Sequence, residues 1–183
     1  MGLFTKAEDA AVKAPQAEAL TEAKKSAPLA DLVEIASPLS GQVKELSQAT
    51  DPVFAQGVMG QGVLIEPSQG DLLAPVDGVV SVLFPTKHAV GIVSDQGVEM
   101  LMHIGMDTVN LEGKGFTAHV SQGDRVKAGD KLISFDIDLI KDAGYVTETP
   151  VIITNQDQYQ ADALGSLPRQ IAVGDALMTA TKI

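Results

Sequence analysis

The sequence predicts an all-β protein: an antiparallel β-sandwich or flattened barrel with short helical turns, built from a duplicated unit. Three observations lead there. Gly 17 and Pro 9 are spread through 183 residues, which suits many short strands joined by turns. Apolar residues make up 45% of the chain, with no Trp and 4% aromatics, so a sizeable core is built of Val, Ile, Leu and Met. Two pairs of segments echo each other. Ser37-Pro-Leu-Ser-Gly-Gln-Val43 resembles Ala74-Pro-Val-Asp-Gly-Val-Val80, and Val120-Ser-Gln-Gly-Asp-Arg-Val126 resembles Ile171-Ala-Val-Gly-Asp-Ala-Leu177 less closely. In each a Gly supplies the positive-φ position of a turn and an apolar strand follows.

Residues 1–30 stand apart. Met1 to Phe4 form a small apolar cap, and Lys6 to Lys25 is Ala, Glu and Lys with no lasting apolar face. This reads as a flexible tail, disordered or transiently helical. Leu3 and Phe4 give it at most a weak peripheral membrane contact. The body, residues 31–183, is expected to hold strands at 32–36, 41–46, 62–66, 71–74, 78–84, 88–93, 98–104, 116–120, 131–136, 149–154 and 176–182, each an apolar, β-rich run bounded by turn formers. Asp138 to Ala143 reads as a single helical turn. In the run 98–104, Val98, Met100 and Met102 share one face, which is expected to be core.

The net charge is −11. A nucleic-acid partner requires a basic surface and is excluded; basic protein surfaces suit this charge. The absence of cysteine removes disulfide and thiol chemistry and is compatible with the cytoplasm. No secretory h-region and no membrane-length apolar run is present, so a cytoplasmic location is expected. There is no P-loop, no dinucleotide fingerprint leading into a helix and no nucleophile elbow.

The chemistry concentrates in two of the three histidines. His88 and His103 flank the turn Ser94-Asp95-Gln96-Gly97 symmetrically. A hairpin centred between Asp95 and Gln96 sets them directly opposite each other, on one face, with Cβ atoms about 5 Å apart. Val90 and Ile92 are then expected on that face opposite Leu101 and Glu99. Two close imidazolium cations repel, so one ring is neutral, and a neutral imidazole is a nucleophile or a metal ligand. Thr86 lies two residues before His88 and offers a hydroxyl. Asp107 lies four after His103, where its carboxylate can fix an imidazole tautomer or hold the loop. His119 has no partner by spacing and reads as an ordinary strand or surface histidine.

These residues resemble a known family. Ser37-Pro-Leu-Ser-Gly, Ala74-Pro-Val-Asp-Gly, Thr86-Lys-His88, Met102-His-Ile-Gly-Met-Asp-Thr-Val109 and Gly123-Asp-Arg-Val-Lys-Ala-Gly129 with Ile133-Ser-Phe-Asp136 are similar to the glucose-type enzyme IIA of the bacterial phosphoenolpyruvate-dependent sugar phosphotransferase system. The resemblance runs over about residues 32–183 and includes the opening Met1-Gly-Leu-Phe, but not the Ala-rich tail behind it. It implies a sandwich of the duplicated hybrid type. It implies that His103 accepts a phosphoryl group on Nε2 from phospho-HPr and passes it to a cysteine on the IIB domain of a sugar permease, glucose first among the sugars. His88 matches the second active-site histidine, needed for onward donation, and Thr86 and Asp107 match supporting positions. Val53, Phe54, Val58, Met59, Phe84, Leu101 and Val109 match an apolar docking rim. No cofactor is required; zinc bound by His88 and His103 is conditional on a partner carboxylate. Regulatory binding to glycerol kinase, adenylate cyclase and other sugar permeases is also implied.

Two other classes compete. A zinc metallopeptidase of the same hybrid type finds half a site in His103-x-x-x-Asp107 but needs a further His-x-His pair, which is missing. A biotin- or lipoate-carrying module needs a lysine at a hairpin tip, typically between methionines, and neither Lys87 nor Lys131 has that setting.

Overall fold

In a computed structural model of the chain, residues 31–183 are described; the expected tail lies outside them. The chain divides into Met1–Val33 and a second unit, Glu34–Ile183, and the second carries the fold. Its strands are β1 (Leu32–Ala36, of which Glu34–Ala36 belong here), β2 (Gly41–Glu45), β3 (Gln61–Pro67), β4 (Asp71–Leu73), β5 (Gly78–Leu83), β6 (Ala89–Ser94), β7 (Glu99–His103), β8 (Phe116–Ala118), β9 (Arg125–Val126), β10 (Lys131–Phe135), β11 (Thr149–Ile153), β12 (Tyr159–Ala163), β13 (Arg169–Ile171) and β14 (Ala176–Lys182). Two short α-helices are α1 (Pro52–Ala55) and α2 (Ile137–Asp142), and two 3-10 turns span Leu46–Gln48 and Thr108–Leu111. No helix among the described residues is long and apolar enough to cross a membrane.

The duplication read from the sequence is visible in the strand order. The large sheet runs β13-β2-β3-β11-β7-β6-β5-β9, and two small sheets run β1-β14-β12 and β4-β10-β8. Read from its centre, the large sheet is the same four-strand arrangement twice. The Pro/Gly repeats meet across the pseudo-two-fold: Ala36 N donates to Pro75 O (3.1 Å) and Leu73 N to Pro38 O (2.9 Å). Gly41 and Gly78 play matched roles. A Cβ on Gly41 would lie 2.0 Å from Glu66 O, and one on Gly78 2.1 Å from Val93 O, so both repeats need glycine for backbone to approach backbone.

The second echo is corrected. Ser37 N donates to Asp175 O and Ala74 N to Asp130 O, both at 2.7 Å, while Gly174 N donates to Ser37 O and Gly129 N to Ala74 O, both at 2.9 Å. The partner of Gly174-Asp175 is therefore Gly129-Asp130, not Gly123-Asp124. All three turns use one device: an Asp Oδ2 accepts from the amide three residues earlier, at Ser121, Lys127 and Ala172. Local turn chemistry is the same in each, and only the long-range bonds distinguish them.

The short strands β9, β12 and β13 and the single turn α1 were not anticipated, being brief or polar. The helical turn expected at 138–143 appears as α2, with Asp136 Oδ1 accepting from Leu139 N at 3.0 Å. The expected core face of β7 holds: Val98, Met100 and Met102 are buried. The other face is covered as well. There Leu101 and Ala89 join Leu46, Phe54, Leu64, Met106 and Ile152 in a second apolar cluster, so the central strands are buried on both sides, and the site rests on this cluster.

Candidate functional site

The β6–β7 hairpin closes one residue later than its symmetry suggested. Ser94 N donates to Val98 O and Gly97 N to Ser94 O, both at 2.9 Å, and Gly97 has φ 101°. This is a three-residue loop with a left-handed glycine, a common way to turn a hairpin. The register is therefore Ala89↔His103, Val90↔Met102 and Gly91↔Leu101. His88 is not directly opposite His103, and Val90 and Ile92 lie on the Met100–Met102 face instead of the histidine face.

The two imidazoles nevertheless meet, with ring centroids 4.9 Å apart and planes at 82°. The cause is the loop before β6. Pro85 opens a turn closed by Lys87 N donating to Phe84 O (2.8 Å), and Phe84 N donates to Ala89 O (3.1 Å). Lys87 sits at φ 62°. His88 is the last residue of this loop and not a strand residue; Ile104 N donates to its carbonyl at 2.7 Å. The alternation rule does not bind a residue outside the ladder, and the kink at Lys87 brings the ring to the edge of His103.

Each ring has one committed nitrogen. His103 Nδ1–H donates to Gly105 O at 2.7 Å, leaving the lone pair on Nε2. His88 Nδ1 lies 2.6 Å from Thr86 Oγ1. Aromatic walls complete the setting: Phe54 packs on His103 at 5.1 Å and Phe84 meets His88 edge-on at 5.3 Å. His88 is buried and His103 partly exposed. Burial, then the neighbouring His103, pushes the His88 pKa down to about 4. Burial lowers that of His103 also, opposed by its bond to the Gly105 carbonyl and by the charges of Asp51 and Asp107. Both rings are thus neutral near pH 7, as nucleophilic chemistry requires.

The expected residues are dispersed as follows. Thr86 is in place. Asp107 is exposed at φ 60° with no side-chain capping bond; the Gly105 carbonyl, not this carboxylate, fixes the tautomer, because Gly105 turns the chain back at φ 74° right after the strand. Of the seven rim residues, Val53, Val58, Met59 and Val109 are exposed and Phe84 is half-buried. Phe54 and Leu101 are buried; Phe54 is the wall against His103 and Leu101 lies in the apolar cluster beneath, so neither is exposed at a rim. His119 lies beyond the end of β8, in another sheet, where its Nε2 lies 2.8 Å from Ser134 Oγ. A cleft of about 680 Å³ lined by Ser68, Gly70, Thr117, Ser134 and Asp136 includes neither paired histidine.

Asp51 was missed. It caps α1, accepting from Val53 N at 2.9 Å, and its charge acts on His103. The Asp-Pro pair was a readable helix start, but no sequence signal carried a four-residue helix to the histidine pair. Among the described residues, no group of three or more His, Cys, Asp or Glu is arranged to hold a metal ion.

Comparison with known proteins agrees with this architecture. Residues 33–159 match the family described as phosphoenolpyruvate-dependent sugar phosphotransferase system, EIIA 1, and the chain belongs to that family. The PTS system glucose-specific EIIA component of Bacillus cereus is 54% identical over 123 residues, covering 67% of this chain and 74% of that protein. Glucose permease IIA from Mycoplasma capricolum superposes with a TM-score of 0.74 at 36% identity, over 81% of this chain and 95% of that one. The chain is therefore a glucose-type EIIA component by family and fold, an antiparallel β-sandwich. The PTS system beta-glucoside-specific EIIBCA component of Bacillus subtilis (strain 168) is 58% identical over 125 residues, 68% of this chain. The chain spans only 20% of that relative's length and 25% of its Halalkalibacterium halodurans counterpart's.

Proposed function

We propose that His103 carries the phosphoryl group, taking it from phospho-HPr and passing it to the cysteine of a IIB domain of a sugar permease. The observation that carries this reading is the bond from His103 Nδ1–H to Gly105 O at 2.7 Å, which aims a neutral Nε2 lone pair away from the backbone. In the first step the bond between phosphorus and the donor breaks as the Nε2–phosphorus bond forms; in the second a thiolate displaces His103. Both displacements need positioning and charge stabilisation more than covalent help. With the Thr86 hydroxyl donating to His88 Nδ1, the remaining ring proton sits on His88 Nε2, beside the new phosphate. Its roughly two negative charges raise the proton affinity of His88.

Val53, Val58, Met59 and Val109 suit a docking rim, and the Asp51 and Asp107 carboxylates suit a basic partner surface. Glucose and β-glucoside permeases are the acceptors that the relatives' names support. In this reading residues 31–183 form the EIIA domain, residues 1–30 a tail, and the chain works in the cytoplasm. Zinc would take His88 and His103 as two ligands and complete its tetrahedron with a partner's carboxylate. Regulatory binding to other permeases, glycerol kinase and adenylate cyclase would use the same face.

The test is incubation with phosphoenolpyruvate, enzyme I and HPr. One acid-labile, base-stable phosphate is expected; His103→Ala abolishes it, and His88→Gln accepts phosphate but fails to pass it on. Label that persists in His103→Ala removes the assignment.

A further inference from the structure

We propose that Glu148 is a positioning residue for phosphoryl transfer: its buried carboxylate holds the Thr50 amide, and with it the Asp51–Phe54 turn, against His103. Glu148 is 7% exposed, at the approach to β11. Its Oε1 accepts from Thr50 N at 2.7 Å, across a sequence separation of 98 residues. A carboxylate is rarely buried this far without a task. Thr50 directly precedes Asp51, whose side chain starts α1, and α1 places the Phe54 ring on His103.

The same segment braces the other side of the imidazole. Val146 O accepts from Met106 N at 3.2 Å, and a Cβ on Gly105 would lie 2.7 Å from Val146 O. Gly105 is the residue whose carbonyl holds His103 Nδ1–H. Residues 146–148 thus tie together the aromatic wall and the carbonyl that fixes the tautomer. Nothing in the sequence marks Glu148, because its partner is a backbone amide far along the chain. The consequence for transfer rests on the reading of His103 as acceptor; the brace itself does not.

Three variants of the full chain test it. Glu148→Leu removes the acceptor at similar volume, Glu148→Gln keeps an acceptor oxygen without the charge, and Glu148→Asp keeps the charge but retracts it by one methylene. At pH 8 the His103 Hε1 and Hδ2 resonances report the Phe54 ring current. They are expected to move in Leu and Asp and to stay in Gln. Single-turnover phosphorylation from phospho-HPr is expected to slow by roughly 10- to 100-fold in Leu and to recover in Gln. A folded Leu variant with wild-type His103 resonances overturns the proposal. Should Leu fail to fold, Asp and Gln decide: resonances disturbed in Gln and retained in Asp mean that charge, not the bond, matters, and the brace is rejected. The spectroscopic arm uses no phosphate, so it stands or falls separately from the transfer reading.

Discussion

The two halves of the large sheet share one plan and differ in what they put at two positions. In the β5-β6-β7-β9 half, His103 pairs with Ala89, and Ile104 N bonds to the carbonyl of His88. In the β13-β2-β3-β11 half, the corresponding pairs are Ile152 with Gly62 and Ile153 with Gln61. Ile152 is fully buried. The connections differ too. The first half turns tightly through Pro85–His88, while the second runs from Leu46 to Gly60 and carries α1. That longer connection lays Phe54 on His103. The half without histidines therefore supplies the wall, the floor residues Leu64 and Ile152, and Asp51. The histidine pair thus draws on one strand-end position, His103, one loop position, His88, and the longer loop of the other half; neither half is complete alone.

The comparison is broken most directly at its shared glycines. Gly41→Ala and Gly78→Ala each drive a methyl group into a carbonyl of the neighbouring strand, and each is expected to lower stability by about 3 kcal/mol. Urea unfolding of both variants checks it. A large loss at one site with tolerance at the other shows that the halves are alike in outline only.

The histidine pair gives the next effect. An unfolded histidine binds its proton near pH 6.5, whereas folded His88 resists until about 4. Between these values the unfolded state binds more protons, so stability is highest above pH 6.5 and falls on acidification toward pH 4. From pH 7 to 4.5 this single residue accounts for about 2 kcal/mol, and the lowered pKa of His103 adds with the same sign. His88→Gln places there the residue that the other half carries at Gln61. Unfolding free energies at the two pH values should differ less in this variant than in the wild type. An unchanged difference assigns the acid sensitivity to other groups.

Legibility followed interaction range. The duplication was readable because Gly41 and Gly78 each sit in a local Pro/Gly pattern. The core face of β7 was readable because alternation is local, and the histidine pair because few residues separate its members. The register was off by one because a left-handed Gly97 adds a loop residue without changing the composition of the turn. Sequence symmetry placed the rings together for the wrong reason: the kink at Lys87, not direct pairing, delivers His88. Asp51, Phe54 as a wall, the Gly105 carbonyl and Glu148 were beyond reach. Three depend on how a distant loop crosses the sheet, and the fourth is a backbone atom that no residue type announces.

The smallest effect probes that kink. Lys87 holds φ 62°, a conformation strained for a side chain with a Cβ; the corresponding position of the other half is Gly60, which has a different conformation at φ 153° and where a Cβ would lie 2.3 Å from Ile153 O. The histidine half thus keeps a non-glycine residue where its twin uses glycine, next to the His88 imidazole. Asn tolerates the left-handed region better than Lys and keeps a Cβ that limits the unfolded chain. Lys87→Asn is expected to raise stability by about 0.5–1 kcal/mol, read as a shift of the urea midpoint at unchanged slope, with phosphate acceptance unaltered. A drop in stability instead means that the Lys87 side chain makes a contact worth more than the strain it imposes. A gain in stability with slower onward transfer means that its charge serves the phosphorylated state, which would make the tight loop a second functional difference between the halves.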